Sequence, residues 1–325
     1  MDISVQIGCH QDSLISMSAP WKRWPILSSF YPLKNPETLI ASPYGGIVYL
    51  ISSEFLDFPL ECHFTCSNFV QYPRMVKSNP QIWDDTKHYD IPFGEYETDF
   101  LIFSMPSANL RDLQTNFNYF NNIFDLSLNS IFKFTHFDFL RKFRVIFDIE
   151  ISKDLPACRH PIVLPISDIP ELFNILNTPT AVFYSLIKTV SLLTIKENHF
   201  ETEVEDVFAE LATQNVMKKI FPDFNSKQFA NPLNDILFNS LYDIQMENKE
   251  LIISKVLSKF QSDLYHEERM PEENWLEFIQ DLCIIGKTDY TEKLETYHPI
   301  PLSVVNFVKH SLQHNSKYFV FHFFI

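Results

Sequence analysis

The chain has 325 residues, of which 46% are hydrophobic and 21% charged, and it carries 32 Phe and 13 Tyr. That is enough apolar material to bury a sizeable core, and it excludes a disordered or fibrous protein; the length accommodates two or three domains. Asp and Glu number 41 against 26 Lys and Arg, a formal charge of -15, which opposes binding to a phosphate backbone; with no segregated basic patch, no nucleic-acid partner is expected.

In chain order, residues 1-115 hold short β-type runs between prolines, at Val5 to Cys9, Gly46 to Ser53 and Phe100 to Met105, and these predict a sandwich. Glycine is scarce, and Gly8, Gly45, Gly46 and Gly94 in this region each mark a tight turn or a close backbone approach. Leu113 to Phe143 is rich in Asn and Phe at helical spacing. Beyond it Val145, Phe147, Ile149 and Ile151 alternate with Asp148 and Glu150, the pattern of a strand with one solvated face. After Pro170 the period becomes helical: Val204, Val207, Phe208 and Leu211, then Ile253, Val256, Leu257 and Phe260, then Trp275, Phe278, Ile279 and Leu282. The expected class is α+β, divided into a β-rich region, 1-115, an α/β part, 116-200, and a helical lobe, 201-325.

Met1-Asp-Ile-Ser-Val-Gln6 has neither the basic nor the apolar region of a secretory signal. No apolar run, the tail Tyr318 to Ile325 included, approaches the roughly 20 residues of a membrane helix. The default expectation is therefore a cytoplasmic chain whose five Cys are free and mostly buried thiols. Cys62 and Cys66 flank His63 but have no second cluster to complete a zinc site. Cys158 stands beside Arg159 and His160, where a small buried hydrophobe is the simpler reading. Trp21, Trp24 and Trp83 could stack on sugars, but aromatics in a β-rich region are expected in the core.

Several strings resemble the enhancin-like, mucin-degrading zinc metallopeptidases, the family called M-sixty, and their relatives the TRP-melastatin channel-associated factors. They are Val5-Gln-Ile-Gly-Cys-His10, Trp24-Pro-Ile26, Tyr31-Pro-Leu33, Ser42-Pro-Tyr-Gly-Gly-Ile-Val-Tyr49, Gly94-Glu-Tyr-Glu-Thr-Asp99 with Pro106 and Asn109-Leu-Arg111, Arg144-Val-Ile-Phe-Asp148, His160-Pro-Ile162, Asn306-Phe-Val-Lys309 and Phe319 to Phe324. The resemblance implies a partial β-sandwich region, then a gluzincin-like metallopeptidase lobe and a C-terminal helical lobe. It also implies a zinc site in active relatives.

Such an enzyme carries His-Glu-x-x-His on a helix, two imidazoles for the metal and a Glu for the water proton, and this chain has no such string. Aligned by its neighbours, the motif falls on Ile187, Lys188 and Ser191, within an amphipathic helix expected over Val182 to Leu193 whose apolar face is Val182, Phe183, Leu186, Val190 and Leu193. The family's third ligand, a Glu on the next helix, falls at or near Glu203. His199, four residues before Glu203 and close to Glu197, is a weak further candidate, best read as part of an acid-rich helix start. His310 and His314 are also four apart, but Ser311 replaces the Glu between them, and both should face water, away from Val304, Val305, Val308 and Leu312. There is no Gly-x-Ser-x-Gly elbow and no Gly-rich phosphate loop.

Three readings stand. One is a catalytically inactive peptidase-like domain without zinc that binds a protein or glycoprotein partner, in association with a membrane protein if it follows the channel-associated branch. Another is an active zinc peptidase on mucin-type glycoproteins with a non-standard ligand set. The third is a truncated copy with no function of its own.

Overall fold

The computed structural model describes residues 3–35, 37–52, 61–66, 69–152, 160–195, 199–225, 235–248, 251–261 and 269–313. The chain divides into two compact units, the first Met1–Asp125 with Leu140–Ile175, the second Leu126–Phe139 with Leu176–Ile325.

The first unit is built on two sheets. Strand β1 (Ile3–Ile7) lies between β2 (Ser29–Pro32) and β3 (Val48–Ser52), antiparallel to both, with Val5 opposite Tyr31 and Leu50. The second sheet has the order β4 (Arg74–Val76), β5 (Phe93–Glu97), β6 (Leu101–Pro106), β7 (Phe143–Asp148), β8 (Ile162–Pro165). Only β5 and β6 pair antiparallel; the other neighbours are parallel. The β-rich expectation is thus met by two sheets, the second of which reaches past residue 115 to recruit β7 and β8.

Helices α1 (Gln81–Thr86), α2 (Ser107–Asp112) and α4 (Ile169–Leu172) belong to this unit, as does the first part of α3 (Phe117–Thr135). Aromatic rings fill the core: Phe103 lies 4.9 Å from Phe124 and 5.5 Å from both Tyr96 and Phe173. β7 is a central strand with a parallel neighbour at each edge, and Val145, Ile146, Phe147 and Asp148, which point alternately to its two faces, are all buried. The solvated face expected from its alternation does not exist, and the strand ends at Asp148 with Ile149 exposed.

A buried carboxylate ties the sheets together. Glu95 Oε1 accepts from the hydroxyls of Tyr49 on β3, 3.0 Å, and Ser104 on β6, 3.0 Å, and pairs with the Arg144 guanidinium at 2.5 Å; Oε2 accepts from Tyr72, 2.8 Å. Arg144 also lies 4.2 Å above the Tyr49 ring.

In the second unit, α5 (Ala181–Leu193) opens on Thr180, whose hydroxyl accepts from the Phe183 N–H at 3.1 Å. It is followed by α6 (Thr202–Ile220), α7 (Asp235–Glu247), α8 (Ile252–Phe260), α9 (Pro271–Gly286), α10 (Thr291–Leu294) and α11 (Leu302–Gln313). The three predicted apolar stripes meet in one buried cluster, where Phe208 and Phe278 are 4.9 Å apart and Phe200 and Phe260 5.0 Å. Among the described residues no helix is long and apolar enough to cross a membrane.

Two expectations fail. Trp83 is buried, but Trp21 and Trp24 are exposed, Trp24 63% so and stacked on Tyr44 at 5.8 Å. Of the described cysteines, all free, Cys283 is buried, Cys9 and Cys62 are half-buried and Cys66 is exposed. Burial pushes the Cys9 and Cys283 thiols up to about 11, away from nucleophilic use.

Gly94 is required by a close approach, since a Cβ there would come within 2.5 Å of the Pro73 carbonyl oxygen and 2.7 Å of Leu110 Cδ2. Gly94→Ala is expected to cost about 1–3 kcal/mol of unfolding free energy by overpacking, read from denaturant midpoints at constant slope; a loss below about 0.5 kcal/mol would show that β5 can move away.

Candidate functional site

α5 and α6 pack against each other, and the polar residues between them recur at three- and four-residue spacing on both helices. From α6, Glu210 sits in a run of buried apolar side chains, Val207, Phe208, Ala209, Leu211 and Ala212, and is itself only 6% exposed. Its Oε1 accepts from the Tyr184 hydroxyl and, at 2.9 Å, from Gln214 Nε2, which also reaches the Tyr184 oxygen at 2.8 Å. On its other side, Lys188 Nζ is 3.4 Å from Glu210 Oε2 and 3.0 Å from Asp206 Oδ2. Burial, and then the charge of Glu210, raises the Tyr184 hydroxyl well above its ordinary range, so the phenol keeps its proton and donates.

The predicted helix is present as α5, and Ile187, Lys188 and Ser191 all lie on it. Ile187 and Ser191 are fully buried. Ser191 Oγ donates back to the Ile187 carbonyl at 2.9 Å and lies 3.3 Å from Thr213 Oγ1. The pair on α5 that meets a carboxylate of α6 is Tyr184 and Lys188, also four apart, with exposed Ser185 between them.

Glu203 is exposed in the first turn of α6. His199 is buried, with Nε2 3.0 Å from the Phe260 carbonyl and its own carbonyl accepting from Asn274 Nδ2 at 2.6 Å. Among the described residues neither joins a group of three metal-capable side chains. His310 is exposed on α11 while Val304 and Val308 are buried; His314, Glu197 and Cys158 lie outside the described residues. Sequence reasoning missed Tyr184, Asp206, Glu210 and Gln214, although an acid inside the run Val207 to Ala212 was a visible signal.

Zinc requires about three lone-pair ligands from the protein. At this place the α5 side chains are a protonated phenol and an ammonium, neither a ligand as it stands, and Glu210 is the one buried carboxylate. These residues do not fit the metal.

In the first unit, His10, Asp12 and Asp148 bring ligand atoms within 4.8 Å of one another, all buried. Arg23 already fills the group: Nη2 is 3.0 Å from Asp12 Oδ2 and Nε 2.7 Å from Asp148 Oδ2. The Asp12 N–H points at His10 Nδ1, 3.2 Å away, which leaves the proton on Nε2 to donate to Asp148 Oδ2 at 2.8 Å. Burial alone would raise the Asp148 carboxyl, but the hydrogen bond from His10 and then the charge of Arg23 outweigh it and hold the group below its usual range. A metal would have to displace Arg23 and take the His10 proton, so the cluster reads as a clamp of the 10–25 segment onto the end of β7.

Two outcomes follow. Arg23→Ala leaves two buried carboxylates without their cation and is expected to cost about 3–5 kcal/mol of stability in denaturant unfolding; a cost under about 1 kcal/mol would reduce the clamp to a surface contact. His160 accepts from the Arg144 N–H through Nε2 at 3.2 Å. Burial first, then the charges of Arg141 and Arg144, push its imidazole from 6.5 down to about 4. The folded state thus favours neutral His160, so its contribution is complete above pH 6.5 and falls away as pH drops from 6.5 toward 4. His160→Gln should flatten that part of the stability profile, and an unchanged slope would contradict the assignment.

Residues 1–55 match the model of the N-terminal domain of M60-like peptidases. The chain is 28% identical to TRPM8 channel-associated factor 3 of Mus musculus over 176 residues, 53% of this chain and 19% of that protein. It is 25% identical to TRPM8 channel-associated factor 2 of Bos taurus, again over 53% of this chain and 19% of the relative. The match therefore spans about a fifth of the length of these relatives. Among solved structures, the catalytic module of the metalloprotease ZmpA from Clostridium perfringens superposes with a TM-score of 0.61 at 10% identity, covering 95% of this chain and 71% of that one. A metallopeptidase from Bacteroides thetaiotaomicron gives 0.61 at 10% identity, over 96% and 64%. At that identity the structural likeness speaks to the fold, a metallopeptidase-module fold in a chain of N-terminal sheets and C-terminal helices. The chain is thus similar to the N-terminal domain of M60-like peptidases over residues 1–55 and to TRPM8 channel-associated factors over about half of its length, with the fold of a metallopeptidase catalytic module.

Proposed function

We propose that the chain is a catalytically inactive peptidase-like domain that acts by binding a protein or glycoprotein partner. The observation that carries this reading is the Lys188 ammonium between Asp206 and Glu210. A hydrolytic zinc site polarises a water and needs a nearby base to take its proton, and the α5 residues facing the α6 carboxylates offer neither imidazole nor carboxylate. What the arrangement can do is hold two helices rigidly and present the surface around them.

The relatives are named for association with a channel, and by that analogy the partner is a membrane channel protein. A charge of -15 favours a partner surface that is basic or neutral, chiefly through the rate of encounter.

Zinc content and cleavage decide between this reading and a working peptidase. The purified full chain is expected to carry substoichiometric zinc, to leave a mucin-type glycoprotein intact with or without a chelator, and to be retained by a channel of the TRPM8 kind in a salt-sensitive pull-down. One tightly held zinc per chain with chelator-sensitive cleavage would overturn it.

A further inference from the structure

We infer that Lys188 is a resident replacement for a metal ion, the positive charge that the fold places against the α6 carboxylate having become part of the polypeptide. This rests on the reading of the chain as an inactive peptidase-like domain and gives that site a chemical description. The zinc implied by the fold does not fit the residues present, and the way it fails to fit is informative.

Three observations converge on the same atoms. Glu210 is buried in an otherwise apolar stretch of α6, where donors and a cation offset the cost of taking a carboxylate out of water. The donors are the Tyr184 hydroxyl and Gln214 Nε2 on Oε1; the cation is Lys188, facing Oε2 at 3.4 Å. Second, Tyr184 and Lys188 are four residues apart on one face of α5, the spacing at which a helix presents two ligands to one ion. The carboxylate they share comes from the neighbouring helix. Third, the alternative register on Ile187 and Ser191 has no carboxylate to meet, for both are fully buried and Ser191 is bonded to its own helix and close to Thr213. The geometry points to Tyr184, Lys188 and Glu210 as the degenerate metal positions, with Ser185 where a base would stand and Glu203 outside the site.

The ammonium neutralises Glu210 without offering a lone pair and reaches Asp206 as well, whose side chain is partly solvated. The site can keep its charge balance and its helix packing with no ion bound.

The test is a double-mutant cycle on the full chain with Lys188→Met and Glu210→Gln, read by denaturant unfolding. Lys188→Met keeps the aliphatic stem and removes the charge. Each single change is expected to lower the folded fraction, and the double variant to recover at least about tenfold in the unfolding equilibrium relative to additivity. Additive effects would mean that Lys188 contributes packing alone and would sink the inference. A second arm restores the ligands: Tyr184→His with Lys188→His, where the folded variant should bind one zinc per chain and lose it when Glu210→Gln is added. A variant with the wild-type helical spectrum that takes no zinc would place the metal positions elsewhere. Failure of either arm with a zinc-free wild type leaves the inactive-domain reading standing; stoichiometric zinc on the wild type removes that reading first.

Discussion

A carboxylate taken out of water must be answered by a cation and by hydrogen-bond donors, and among the described residues Asp125 meets Lys77 in this way, while three further pairings join separate segments of the chain. Arg144 answers Glu95 and joins the two sheets of the first unit through Tyr49, Ser104 and Tyr72. Arg23 answers Asp12 and Asp148 and holds the segment after β1 to the end of β7. Lys188 answers Glu210 and sits between α5 and α6. Because each pair is buried or nearly so, removing one partner strands the other.

The same constraint separates the two places where a metal could be imagined. At His10, Asp12 and Asp148 the ligand atoms are close enough, but a guanidinium and a committed His10 proton occupy their lone pairs. Between α5 and α6 the helix pair expected of a metallopeptidase lobe is present, and the side chains that face each other carry their own charge balance. On the proposed reading, an enzyme scaffold that has lost its ion keeps its shape by replacing the charge rather than by repacking the site as hydrocarbon. Lysine suits such a place, since its stem packs along the helix while its head reaches the acid.

Much of the fold was legible in the sequence. The stripes of α6, α8 and α9 were read correctly because helical period and burial coincide there. The helix at α5 was placed by family order together with its own amphipathic pattern. β7 was misread on one point: its alternation signalled a half-solvated strand, but Val145 to Asp148 are all buried, and its two charged residues are both paired, Arg144 with Glu95 and Asp148 with Arg23. Trp21 and Trp24 were expected inside because aromatics usually are, and nothing local in the sequence reports that they lie on the surface.

The site was half legible. Lys188 was singled out as hostile to a metal, and it proves to be the cation of the cluster. Its partners Glu210, Gln214 and Tyr184 could not be paired with it from one sequence, because the pairing depends on the relative rotation of two helices 22 residues apart in Lys188 and Glu210. The direct measurement is a crystal structure of the wild-type chain grown with zinc, with anomalous diffraction recorded at the zinc edge. The account predicts no anomalous peak between α5 and α6 and the Lys188 ammonium within ion-pair distance of Glu210. A peak bound by Glu210, with Lys188 turned out to solvent, would contradict it.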